Sequence, residues 1–172
     1  IALRVQAARG NAKRTLLVPF TMNPEIKSQA CAYCRNAGEI VTVAADAETG
    51  LMDLRDLEEK LRDGNAAAVF YENPSYLGFF ETQAEEIARL AHSYGALCIA
   101  QPETASLGIV ESPMNLGADL VCGDIQPLGM HMQFGGGQAG FIACKQDLEL
   151  AEQFPTYMYG IAKTEKEGRY GW

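Results

Sequence analysis

Apolar and polar positions follow two rhythms along this chain, and the rhythms predict its elements. Continuous apolar runs at Thr15–Phe20, Ala66–Tyr71 and Ala96–Ala100 have the length of strands buried on both faces, and Glu39–Ala44 adds a β-branched run. Between them the period changes. Leucines at 51, 54, 57 and 61, with charges interleaved, mark an amphipathic helix over Leu51–Arg62 with Asp53 as its N-cap. Pro24 after Asn23 opens a helix that runs to about Arg35 and stops near Gly38. Ile87, Leu90 and Ala91 set the inner face of a helix over Thr82–Tyr94, closed by Gly95, and a short helix over Leu3–Ala8 ends at Gly10.

These runs predict strands near 15–19, 40–44, 67–71, 96–100, 119–123 and 139–144, with helices between the first five. Strand and helix alternate as in βαβ units, so the fold class is α/β with a mostly parallel sheet and 67–71 in its interior. The last strand is expected to run antiparallel, because only a Gly-rich corner and a short loop separate it from 119–123. Right-handed crossovers then bring Asn73-Pro74, Gln101-Pro102 and Cys122–Gln126 to one edge, where open α/β sheets bind ligands.

The stretch Asp119–Ile142 holds Pro127, which breaks strand pairing, and Gly135–Gly137, which let the backbone turn sharply. No lysine or arginine occurs between Arg89 and Lys145. An anion bound there would depend on backbone N–H groups and hydroxyls, a weak cradle for a phosphate.

A length of 172 residues suits one domain, and a formal net charge of −8 argues against nucleic acid or an anionic membrane as main partner. No apolar run is long enough to span a bilayer. Five cysteines, without framework spacing, suit reduced thiols in a cytoplasmic protein. Cys31-Ala-Tyr-Cys34 has redox or zinc spacing, yet no second pair accompanies it, and buried inert thiols are the expectation. His92 reads as a surface or half-buried residue and His131 as a loop residue with a structural role. Gly135–Gly140 precedes a strand and is not a nucleotide loop. Neither Ser75 nor Ser106 sits in a nucleophile elbow. Ile1, Val5 and Ala8 already repeat at helical spacing, and Lys163–Trp172 ends without a closing element, so the chain reads as an interior piece of a longer one. Uncovered faces would then make it a poor folder or an oligomer alone.

Glu72-Asn-Pro-Ser-Tyr-Leu-Gly-Phe-Phe-Glu81, Gly123-Asp-Ile-Gln-Pro-Leu-Gly129 and Phe134-Gly-Gly136 resemble segments of the glycine cleavage P-protein family. With Gly95-Ala96, Ser106-Leu-Gly108 and Gly117-Ala-Asp119 they resemble its first, N-terminal (alpha) subunit in the two-subunit form, glycine dehydrogenase (decarboxylating) subunit 1. The similarity runs from Ile1 to the region of Gly160, Lys163 and Thr164. Ile125, Gly137 and Asn23-Pro24 depart from the glycine, proline and His-Pro of the family pattern.

The resemblance implies an aspartate-aminotransferase-like (fold type I pyridoxal phosphate) large domain, of which residues 1–172 would be the central part. It implies oxidative decarboxylation of glycine, with aminomethyl transfer to the lipoyl H-protein, by a heterotetramer. By the family pattern the Schiff-base lysine falls at about Leu128, and the carboxylate on the pyridinium nitrogen at about Gln101, with Glu103 a lesser stand-in. An aliphatic side chain forms no imine, and a neutral amide does not hold the pyridinium charge. The implied chain is a non-catalytic partner whose loops at Asn73, Pro74, Gln101, Gln126 and His131 form a pseudo-site, with no catalytic residue and no metal. Pyridoxal 5'-phosphate would be held by the catalytic (beta) subunit 2. Two alternatives stand: another fold type I transferase whose lysine lies outside these residues, and a scaffold subunit without chemistry.

Overall fold

The computed structural model describes residues 1–137, 139–155, 162–163, 165–166 and 170–171. Gln138 of the glycine corner, and Gly160 and Thr164 of the resemblance, lie outside the described residues. The elements in order are α1 (Ala2–Ala8), β1 (Thr15–Pro19), α2 (Pro24–Cys34), β2 (Glu39–Val43), α3 (Leu54–Arg62), β3 (Ala66–Asn73), α4 (Ala84–Ser93), β4 (Leu97–Pro102), β5 (Leu120–Asp124), β6 (Gly140–Cys144) and α5 (Leu148–Ala151). Ala162–Lys163 and Tyr170–Gly171 form a separate two-stranded antiparallel ribbon.

One sheet has the order β2-β1-β3-β4-β5-β6. The first five strands are parallel, and β6 pairs antiparallel with β5, Leu120 opposite Cys144 and Asp124 opposite Gly140. β3 lies in the interior, and seven of its eight residues are buried, as its unbroken apolar run requires. The caps read from the sequence are made. Asn23 Oδ1 accepts from Glu25 and Ile26 N–H, and Asp53 Oδ1 from Arg55 and Asp56 N–H, each satisfying donors that the first helical turn leaves free.

Alternating strand residues feed two cores. On one face Leu17, Val69, Tyr71, Cys98 and Val121 pack with Leu57 and Leu61 of α3 and Ile87 and Ala91 of α4. On the other, Ala68, Leu97 and Leu120 meet Ala2 and Val5 of α1 and Leu150 of α5. Gln6, fully buried among them, is held because its Nε2 donates to the carbonyls of Ala67 and Gly95.

Two expectations are corrected. The β4–β5 connection contains no α-helix; it makes a 3₁₀ turn at Thr104–Gly108 and then tight turns around Pro113 and Gly117. Gly108 and Pro113 interrupt it, no apolar period runs through it, and Gly117 (φ 101°) lies where a Cβ would come within 2.8 Å of Ala88 Cβ on α4. Nor are the thiols of α2 both buried: Cys31 is exposed and Cys34 half-buried. α2 buries no residue at all, since its sequence carries no apolar stripe, and it packs beside the edge strand β2.

Candidate functional site

Three loops leave the carboxyl ends of β3, β4 and β5 and are fastened to one another. The apolar run of β3 closes on Glu72, the penultimate residue of the strand. Its carboxylate accepts from the backbone N–H of Asn23 at 3.1 and 3.3 Å, tying the β1–α2 turn to β3. Burial pushes the Glu72 carboxyl above its usual range, against the hydrogen bonds from Asn23 and Tyr76. Asn73 is buried and pinches the next loop shut: its Oδ1 accepts from Glu81 N–H at 3.2 Å and its Nδ2 donates to the Glu81 carbonyl at 3.4 Å. Within that loop, which starts at a cis Asn73–Pro74 bond, Ser75 N–H donates to the Phe79 carbonyl.

β4 runs into Gln101, Pro102 and Glu103. Glu103 N–H donates to the Asn73 carbonyl at 3.2 Å, and its carboxylate caps the 3₁₀ turn at Ser106 N–H, 2.9 Å away. Thr104 Oγ1 donates to the Asp124 carbonyl at 2.9 Å, joining the β4 loop to the end of β5. Asp124 in turn accepts from Gln126 N–H at 2.6 Å and starts the turn Gln126–Leu128.

These fastenings enclose a crevice of about 250 Å³. Pro74, Gln101 and Glu103 line it, as do Glu72, Thr104 and Asp124. Gln126, Leu128 and His131 do not; among the described residues of their loop only Pro127 reaches it. Leu128 is 65 % exposed, and His131 is exposed. Asn73 acts from behind, through the clamp on Glu81. The Gln126 amide tucks beneath the glycine corner, where a Cβ on Gly136 (φ 89°) would stand 2.8 Å from its Nε2.

Among the described residues the lining carries the carboxylates of Glu72, Glu103 and Asp124 and no lysine, arginine or histidine. Ser75 Oγ is buried against it without a hydrogen-bond partner. This donor set does not fit pyridoxal phosphate: a phosphate dianion would meet three carboxylates and no cation, and no lysine lies in the lining. Among the described residues no group of His, Cys, Asp or Glu is arranged to hold a metal ion, and no helix is long and apolar enough to cross a membrane.

Around the crevice the loops expose large apolar side chains: Tyr76 and Leu77 after β3, Ile109 after β4, and Leu128, Met132 and Phe134 after β5. On the far side of the sheet Asp119 gathers three donors, Cys98 N–H at 2.8 Å, His92 Nε2 at 2.7 Å and Lys145 Nζ at 2.9 Å. His92, half-exposed as expected, is thereby a partner of Asp119. Sequence reasoning passed over both Glu72 and Asp119. For Glu72 a signal existed, a charged residue closing an otherwise apolar strand; Asp119 has none, because its partners come from three distant elements.

The profile of the family described as glycine cleavage system P-protein matches residues 1–170. A probable glycine dehydrogenase (decarboxylating) subunit 1 of Aeropyrum pernix is 37% identical over 167 residues, 96% of this chain and 36% of that protein. The one of Pyrococcus horikoshii is 38% identical over 168 residues, covering 97% and 36%. A solved structure of glycine decarboxylase (P-protein) of the glycine cleavage system, in inhibitor-bound form, superposes with a TM-score of 0.79 at 31% identity, covering 99% of this chain and 36% of that one. A cystathionine gamma synthase of Xanthomonas oryzae shares the fold alone, with a TM-score of 0.62 at 24% identity over 83% of this chain and 34% of its own. The chain spans about a third of the length of the curated relatives it matches.

Proposed function

The chain belongs to the glycine cleavage system P-protein family, and from that premise we propose that it serves as subunit 1 of a two-subunit P-protein in the cytoplasm. In this reading the complex decarboxylates glycine oxidatively and passes the aminomethyl group to the lipoyl arm of the H-protein. Residues 1–172 form the central part of a fold type I large domain, and the catalytic subunit 2 holds the pyridoxal 5'-phosphate, which supplies an electron sink for the decarboxylation. This chain buttresses that site.

The observation that carries the reading is the charge of the crevice. Its walls present Glu72, Glu103 and Asp124, no basic residue lines it among the described residues, and an exposed leucine stands at position 128. An acidic, lysine-free crevice neither draws a phosphate nor supplies an amine for an imine. Gln101 lines it with a neutral amide, which offers no charge to a pyridinium nitrogen. What remains is support: the clamped loops hold Leu128, Met132 and Phe134 outward as a surface for the partner, and the five free thiols suit a reducing compartment.

Addition of pyridoxal phosphate to the full-length protein, alone and then with subunit 2, tests this by visible absorbance. The reading expects no imine band from the protein alone and a band on mixing. A saturable band from the protein alone would refute it.

A further inference from the structure

A second cavity, opposite in charge, opens at the amino edge of the same sheet. It has a volume of about 480 Å³ and is formed where α1, the α1–β1 loop and the end of α2 meet. Arg4, Lys13 and Arg14 line it together with Asn11 and Asn36, and among the described residues no aspartate or glutamate does. Its walls meet closely because position 38 is glycine: a Cβ there would collide with the Arg14 carbonyl and touch Leu3.

These cations are short of partners, a state that among the described arginines only Arg35 shares. In a chain of net charge −8 a guanidinium readily finds a carboxylate, and Arg9, Arg55, Arg62 and Arg89 each have one. Among the described residues Arg4 and Arg14 form no ion pair, and neither guanidinium donates a hydrogen bond. Lys13 Nζ spends one proton on the Tyr94 carbonyl at 2.5 Å. Glu39 and Asp63 line adjoining clefts, and Glu39 is occupied by Thr15 Oγ1. The cavity thus collects unpaired donors with the planar fork that matches oxyanions. Its size falls within the roughly 300–1,000 Å³ of small-molecule sites.

We propose that this amino-edge cavity binds a small oxyanion, a phosphate or carboxylate group on a compact metabolite, between Arg4 and Arg14. The site is separate from the crevice at the carboxyl edge and does not depend on the role assigned to it.

Isothermal titration of the full-length protein with inorganic phosphate, and separately with succinate, at constant ionic strength provides the test. The expected result is saturable binding of at least one probe, weakened tenfold or more, about 1.4 kcal/mol, by Arg4→Gln and by Arg14→Gln. The exposed Arg55→Gln should leave it unchanged. The probe that binds identifies the group. Arg4 is exposed on α1, so Arg4→Gln carries the test even if Arg14→Gln disturbs the start of β1. No saturable binding of either probe, or binding that Arg4→Gln leaves intact, overturns the proposal.

Discussion

The buried carboxylate of Glu72 accepts the backbone N–H of Asn23 at 3.1 Å, and Asn23 in turn caps α2 with its own side chain. One contact thereby fixes the end of β3, the β1–α2 turn and a wall of the carboxyl-edge crevice. Its energetics have a definite sign. Burial raises the folded-state pKa of Glu72 above the ordinary glutamate value of 4.5, so the folded protein holds the proton more tightly than the unfolded one. This group's contribution is then most favourable below the unfolded value and declines as pH rises through the raised folded value.

Glu72→Gln keeps an acceptor for Asn23 and removes the titrating charge. It should unfold at an equal or higher urea concentration at neutral pH, with a flatter pH dependence above pH 4.5. Glu72→Ala leaves the Asn23 N–H without its acceptor and should cost about 1–2 kcal/mol. Urea titrations of both variants from pH 4 to pH 8 check this pair.

Asp119 behaves in the opposite sense. Burial works against its charge, but the Cys98 N–H, Lys145 and His92 more than offset it, and the pKa falls below 3.8. Its stabilisation is present above that unfolded value and is lost as pH drops through the lower folded one. Asp119→Asn keeps an acceptor for the buried Cys98 N–H but removes the charge that strengthens that bond, so it should cost about 1 kcal/mol at pH 7. The partly exposed His92 and Lys145 add little. The stability curves of variant and parent should converge at acid pH, which denaturant titrations from pH 2 to pH 7 will show.

Gly117→Ala tests the irregular β4–β5 crossover. A side chain there adopts φ near 101° and meets Ala88 Cβ at 2.8 Å, so a loss of about 2–3 kcal/mol is expected from backbone strain and crowding together. Thermal unfolding compared with Gly64→Ala separates the two causes, since Gly64 has φ 73° and nothing near its Cβ position.

The strands were legible in the sequence because parallel strands buried on both faces leave unbroken apolar runs, as at Ala66–Tyr71. The helix starts were legible because Asn23 and Asp53 are the side chains that satisfy free N–H groups. The antiparallel turn of β6 followed from a connection too short for a crossover helix. The β4–β5 crossover was not legible: parallel pairing fixes that the chain must return, not that it returns as a helix, and Gly108, Pro113 and Gly117 broke it locally. Cys31 was misjudged because a helix beside an edge strand need bury nothing. The crevice was foreseeable at the level of its loops, through strand ends and Pro residues. Which side chains enter it depended on hydrogen bonds such as Asn73 to Glu81 and Thr104 to Asp124, whose partners no local pattern announces.

The exposed apolar rim gives a prediction about assembly. Met132 and Phe134 are 84% and 113% exposed and contribute little buried area to the fold, so Phe134→Ser should leave the unfolding free energy within about 0.5 kcal/mol of the parent. The same change should weaken association with subunit 2 at least tenfold if the loop is an anchor of that contact. Sedimentation velocity of the mixed subunits reads the association.

The central claim is that the chemistry comes from the partner, and glycine decarboxylation by defined mixtures of full-length subunits tests it most directly. Subunit 1, subunit 2 and their mixture are assayed for glycine-dependent CO₂ release with lipoyl H-protein and pyridoxal phosphate present, and Leu128→Lys and a variant of subunit 2 lacking its cofactor-binding lysine are included. The account predicts activity in the mixture, none from subunit 1 alone with or without Leu128→Lys, and none when the partner's lysine is removed. Decarboxylation by subunit 1 alone at the rate of the mixture would contradict it.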